Sequence, residues 1–138
     1  MRSRSLLVLL TLSSLGCGVG RSIWHDQVLP SGRTVKVTSF NLVWGIEHDE
    51  RDVSKDSFAL EFATTTPTDD AAAQEREALE VFELIRPASE LWGLPSADVS
   101  RFPTVERKGR YDIFHFTRES DGKWSVTRQS AKVFANDE

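Results

Sequence analysis

The chain is poor in cysteine, poor in histidine and short of positive charge. Its single cysteine is Cys17 in 138 residues. The residues after it therefore form no disulfide, offer no thiol nucleophile and build no cysteine-ligated metal centre. His25, His48 and His115 are the only histidines. Structural or catalytic zinc takes three or four protein ligands, so a histidine site would need all of them to converge from distant segments. Lys and Arg number 17 against 21 Asp and Glu, a net charge of −4, and the balance turns more acidic still once Arg2 and Arg4 are removed. A chain of that sign lacks the basic footprint that a phosphate backbone requires, so no nucleic-acid partner is expected. Beyond the amino-terminal segment no apolar run approaches the roughly 20 residues of a membrane-spanning helix. A Gly-x-Ser-x-Gly elbow, a phosphate-cradling glycine loop and a His-Glu-x-x-His pair are all missing. Serine-hydrolase, nucleotide and zincin chemistry lose their usual signatures, and no cofactor is implied.

What is present begins with the leader. "MRSR" carries two positive charges, "LLVLLTLSSL" follows as an apolar run too short to span a bilayer, and small residues surround Cys17. That is the layout of a secretory signal peptide. The segment "SLGC", Ser14 to Cys17, resembles the lipobox of bacterial lipoproteins, in which a dedicated peptidase cuts before a lipidated cysteine. The resemblance implies a diacylglyceryl thioether on Cys17, an acylated new amino terminus and membrane attachment through acyl chains, each buried methylene contributing about 0.8 kcal/mol. Gly18, rather than an aspartate, follows the cysteine, which favours the outer membrane where the cell has one. The same small residues also suit an ordinary signal peptidase cutting after Gly16 or Gly18, which would release a free domain. The expected organisation is a signal peptide over 1–16, a lipidated cysteine and tether over 17–26, and one domain over 27–138.

At 39% hydrophobic and 28% charged residues the remainder has the composition of a globular domain, long enough to bury one core without disulfides. Pro30-Ser31-Gly32 marks a turn between extended runs. "RTVKVTSFNLVWG" reads as a strand whose apolar phase switches from Val35 and Val37 to Phe40, Leu42 and Trp44, which calls for a bulge near Thr38-Ser39 or burial of both faces. "FALEFATT" places Phe58, Leu60 and Phe62 on one face and pairs with the first strand. A helix follows, with Thr68 as N-cap and Asp69 and Asp70 in its first turn. Ala78, Leu79, Phe82, Ile85, Ser89 and Trp92 share its inner face, Glu75, Arg76, Glu80 and Glu83 face water, and a kink or restart is expected at Pro87. "ADVSRFPTVER" is a strand broken at Pro103, suited to an edge or a bulge. "RYDIFHFTRE" and "KWSVTRQSAKVF" complete a meander through a turn at Lys108-Gly109 and a hairpin at Asp121-Gly122. The expected fold is α+β: a single antiparallel sheet of about five strands, order β-β-α-β-β-β, with one long helix packed on one face.

Four places could carry chemistry or binding. The loop from Glu47 to Asp56 holds five carboxylates and His48. Asp52, Ser54 and Asp56 occupy alternate places of a calcium loop, but Ser57 stands where that loop needs glycine and Ala63 where it needs a bidentate glutamate. The simpler reading is a solvated hairpin loop that keeps a sheet edge soluble. His48 and Glu50 form a His-x-Glu as in zinc deaminases, without the cysteine pair those enzymes require. His115, between Phe114 and Phe116, reads as a partly buried histidine hydrogen-bonded to a neighbour, sharing its face with Tyr111 and Ile113. Of the tryptophans, Trp44, Trp92 and Trp124 read as core and Trp24, in the tether, as the exposed one. Arg107 to Arg110, "RKGR", is a basic cluster at a turn, able to meet lipid headgroups or a carboxylate.

These readings point to an exported lipoprotein whose domain binds an envelope protein or the cell wall, with Trp24, His48, Asp49 and Asp52 as candidate binding residues and no catalytic set. Such a module should carry a contiguous exposed apolar or aromatic patch, around Trp24 or on the sheet face left open by the helix. A periplasmic hydrolase or metal-dependent enzyme is the alternative, and it predicts a cleft where His48 or His115 meets carboxylates. A further alternative is an inhibitor or immunity-type protein whose acidic charge meets a basic enzyme.

Overall fold

A computed structural model describes residues 23–67 and 69–133. Cys17 with its signal segment, and the Thr68 N-cap, lie outside the described residues. The fold is α+β, with one helix laid on one face of a mostly antiparallel sheet. The strands are β1 (His25–Val28), β2 (Thr34–Val37), β3 (Asn41–Val43), β4 (Ile46–Glu47), β5 (Glu50–Arg51), β6 (Ser57–Ala63), β7 (Ser96–Phe102), β8 (Arg110–Arg118) and β9 (Trp124–Lys132), with α1 (Ala71–Leu91) between β6 and β7. The main sheet runs β1-β2-β6-β7-β8-β9, with β3 also on β6, seven strands in all, and β4-β5 form a separate small hairpin.

Two features differ from the expected all-antiparallel sheet and its tether. The first is the parallel pairing of β6 with β7, from Ser57 beside Ser96 to Ala63 beside Phe102. The 21 residues of α1 rise about 1.5 Å each, enough to carry the chain back past the whole length of β6, so β7 must start where β6 started. Pro103 accordingly ends a central strand rather than marking an edge. The second is that the sheet begins earlier than the expected tether allows: His25 and Asp26 already pair with Val37 and Lys36.

The phase switch in the first long strand is a bulge. Val37 lies opposite Phe62 and Asn41 opposite Ala59, so four steps along one strand match three along β6. Thr38 holds the mismatch: its N–H donates to the Glu61 carbonyl at 2.9 Å, and its hydroxyl accepts the Glu61 N–H at 3.2 Å. The extra residue restores Phe40 and Leu42 to the helix side, where they pack against the core,.

Asp70 caps α1, its carboxylate accepting from the Ala73 N–H at 2.9 Å. The helix runs through Pro87 to Leu91 without a restart, so the backbone bond that proline removes is outweighed by tertiary packing of the turns on either side. Its buried face carries Ala78, Val81, Phe82, Ile85 and Ser89, together with Gln74 and Glu77. Leu79 and Trp92, expected inside, are exposed. Phe82 stacks on Phe116 with ring centroids 3.9 Å apart, and Trp124 meets Phe82 edge-on. Phe62, Val99 and Phe114 complete the floor of the core.

Under the amino-terminal half of α1 the core becomes ionic. Arg101 on β7 and Arg128 on β9 both donate to one carboxylate oxygen of Asp112 on β8, at 2.9 and 2.8 Å. The Ser130 hydroxyl reaches its other oxygen at 2.7 Å, and Arg128 also donates to Gln74 of α1 at 2.7 Å. Nearby, Glu77 accepts from Thr64, Thr65 and Thr66 and pairs with Arg33. Burial alone would push the Asp112 carboxyl up. The hydrogen bonds from Ser130 and Arg128 and the charges of both arginines outweigh that and hold it below the usual range,.

Asp112→Asn would leave Arg101 buried without its countercharge, and an expected loss of about 3–5 kcal/mol should appear as a lower urea midpoint at pH 7. The folded-state pKa of Asp112 is depressed, so its contribution is complete above the unfolded value of about 3.9 and disappears as pH falls through the folded one. The gap in midpoint between the natural protein and Asp112→Asn should therefore close between pH 7 and pH 2.

Candidate functional site

Residues 44–56 fold into a compact arm at the end of the sheet where β6 and β7 begin. Gly45 is its pivot. A Cβ there would lie 2.2 Å from the Asp52 carbonyl and 2.5 Å from Lys55 Cβ, so no other residue fits. The Gly45 N–H donates to Asp56 at 2.9 Å, and its carbonyl accepts from the Asp52 N–H at 2.9 Å and from Arg51 at 3.2 Å. Arg51 closes the arm with a two-pronged pair to Asp56 while lying 4.4 Å over the Trp44 ring. The Arg51 hydrogen bond is the main cause that holds the Asp56 carboxyl below its usual range, and the Gly45 N–H adds to it.

This arrangement assigns the charged loop a structural use. Asp52 caps a short 3-10 turn over Val53–Lys55, accepting from the Ser54 N–H at 3.0 Å and the Ser54 hydroxyl at 2.6 Å. The Ser54 hydroxyl is the chief cause that lowers its pKa. Both bonds fall on Oδ1, and Lys55 Nζ lies 4.0 Å from Oδ2. His48 and Asp49 form the tip of the β4-β5 hairpin with φ of 51° and 65°. Two consecutive positive φ values are those of a primed hairpin turn. Both side chains are exposed.

Two tryptophans expected in the core are on the surface at this end. Trp44 is 57% and Trp92 59% exposed. Trp92 meets Phe58 at 6.1 Å, and Phe58 meets Phe40 at 5.0 Å and pairs across the strands with Leu42. Val43, Ile46, Val53 and Leu91 are also exposed. An aromatic run thus leaves the core and surfaces at Trp92, at the end of the sheet where Trp44 also stands exposed under Arg51. No spacing in the sequence marks it, because exposure of Trp44 depends on the arm folding away from the sheet.

Trp24 behaves in the opposite way. It is half-buried, lies 4.2 Å beneath the Arg107 guanidinium, and donates its indole N–H to the Val105 carbonyl at 2.9 Å. It is part of the domain rather than an exposed element of a tether. The structure leaves Trp24 apart from His48, Asp49 and Asp52, so the four candidate binding residues do not form one site.

On the sheet face away from α1, His115 Nδ1 lies 2.5 Å from Asp98 Oδ1, an adjacent cross-strand pair. Asp98 is the partner that sequence could not supply, since its place beside His115 follows from the β7-β8 register. Thr127 is opposite His115 on β9. The pair lines neither the groove between α1 and Trp124 nor the one beside Phe102 and Tyr111. Among the described residues no three His, Cys, Asp or Glu side chains gather into a metal-binding group, and no helix is long and apolar enough to cross a membrane.

Comparison of the chain with protein-family models, with curated proteins and with solved structures found no match. The fold and its surfaces therefore carry the functional argument alone.

Gly45→Ala should release the arm without unfolding the sheet. Hydrogen–deuterium exchange is expected to accelerate across residues 45–56 and to stay unchanged along β8. Uniform acceleration in both regions would show that the arm is not an independent unit.

Proposed function

We propose that this chain is an exported lipoprotein, anchored to the cell envelope through Cys17, whose domain binds another envelope component rather than catalysing a reaction. The observation that carries the binding reading is the exposure of two tryptophans at one end of the sheet, Trp44 and Trp92, the second continuous with Phe58 and Phe40. Water-exposed apolar surface of this kind is uncommon on proteins that work alone, and tryptophan is enriched where binding energy concentrates. Covering one such ring fully would release on the order of 2 kcal/mol from area alone. The leader and the "SLGC" segment support the anchoring.

The Asp98–His115 pair favours a second reading, a hydrolase in which His115 acts as general base. Its geometry suits orientation of an imidazole, but the pair lies on a sheet surface rather than in a cleft, and this reading ranks below the first.

Two experiments test the proposal. Cells expressing the full chain with a labelled fatty acid should yield labelled protein in the membrane fraction, and Cys17→Ala should abolish the label; label retained in the variant, or an unprocessed chain in the cytosol, would overturn the anchoring. Trp44→Ser combined with Trp92→Ser should remove at least about tenfold of the affinity for an envelope partner recovered by cross-linking, since each lost hot-spot contact typically exceeds about 1 kcal/mol, with the thermal midpoint little changed. Undiminished binding would remove the aromatic surface from the proposal.

A further inference from the structure

A second surface lies at the opposite end of the sheet. Strand β9 pairs with β8 along nine residues, and no strand among the described residues covers its other side. The Val133 N–H donates to the Gly109 carbonyl at 2.9 Å, and the Lys123 carbonyl accepts from the Glu119 N–H at 2.7 Å. Odd-numbered residues therefore direct their backbone groups at β8. The even-numbered ones, Trp124, Val126, Arg128, Ser130 and Lys132, direct theirs outward. A free edge of this length without proline is a template for strand addition. Arg128, which could guard it, is held by Asp112 and Gln74.

Beside the end of this edge is an open groove of about 630 Å³. The stacked rings of Phe102 and Tyr111, 4.7 Å apart, line it with Ala131 and Val133, and Arg107 and Lys132 supply its charge. Among the described residues no carboxylate lines the groove. Arg110 is directly paired with Lys132 across the strands. Glu61 is taken up by Arg107 at 2.6 Å, and Glu106 accepts from Thr104 at 2.8 Å. Arg107 is fixed between the Trp24 ring and that carboxylate, and its Nη2 has no partner. Two cations, Arg107 and Lys132, thus border an aromatic floor next to a free strand edge.

We infer that β9 and this groove receive an extended acidic segment of a partner protein, which adds a strand to the sheet and lays a carboxylate-flanked apolar side chain across Ala131 toward Tyr111. Charge complementarity selects the occupant. A second copy of β9 would bring cations to cations: antiparallel pairing of two β9 strands about their midpoint would set Arg128 against Arg128. The inference rests on the reading of the domain as a binding module but uses a surface separate from Trp44 and Trp92.

The test uses the full chain and a displayed library of random decapeptides. Selected peptides should be rich in Asp and Glu alternating with apolar residues. For the best of them, made synthetically, Arg110→Glu with Lys132→Glu should weaken binding by at least about tenfold, as loss of attraction plus new repulsion at two rim charges implies, while Trp44→Ser with Trp92→Ser should have no effect. Both rim residues are exposed, so the charge reversals leave the fold intact, which circular dichroism verifies. Bound peptide should slow amide exchange at Val126, Arg128, Ser130 and Lys132 relative to the odd-numbered residues of β9. Selection without acidic bias, or exchange at the even-numbered amides unchanged by a bound peptide, would overturn the inference. Peptides lost on the tryptophan substitutions but not on the charge reversals would overturn it while leaving the aromatic surface as the binding site.

Discussion

Asp112 is shared by Arg101 and Arg128 in the space between helix and sheet, and most of the architecture depends on that contact. The three residues come from three neighbouring strands, so the ion cluster fixes the relative positions of β7, β8 and β9. Gln74 ties the cluster to α1, and Glu77, one turn on, ties the helix to the Thr64–Thr66 segment and, through Arg33, to the β1-β2 turn. Apolar packing further along the helix holds it against the sheet but does not define its position along the strands; directional contacts to buried charge do. The cost is desolvation of three charges, and it is offset only while every partner is present.

That anchoring explains where the binding surfaces lie. The amino-terminal half of α1 is committed to the ion cluster, and the aromatic packing of Phe82 with Phe116 and Trp124 covers the middle. The carboxy-terminal end is left to surface at Trp92, beside an arm whose own closure through Gly45, Arg51 and Asp56 directs Trp44 outward. At the other end of the sheet the β7-β8 loop turns back over the uncovered face, and Arg107 is fixed between Trp24 and Glu61. The two candidate surfaces differ in chemistry, one aromatic and one cationic, and sit at opposite ends of β6 and β7.

Much of the frame was legible because it follows local rules. Alternation gave β6, β8 and β9; helical spacing gave Phe82 and Ile85; the change of phase after Val37 gave the bulge. What was not legible depends on distance. Glu77 sits among good helix formers with no local signal to mark it, yet three threonines and an arginine from elsewhere in the chain enclose it. Asp98 and His115 are joined only by strand register. The parallel pairing of β6 and β7 depends on which end of the sheet the helix delivers the chain to. Trp24, Trp44 and Trp92 were assigned inside or outside by neighbours in sequence, whereas their exposure is set by a loop, an arm and a helix end that fold independently of those neighbours.

The bulge at Thr38 has an evolutionary corollary. Ser39 is exposed, so its side chain is free to vary, but the position itself must exist. Removing one residue between Val37 and Asn41 would restore a regular ladder and exchange the faces of everything up to the arm, turning Leu42 away from the core. Descendants of this chain can therefore drift freely in sequence at that point while remaining fixed in length, a tolerance of substitution joined to an intolerance of deletion.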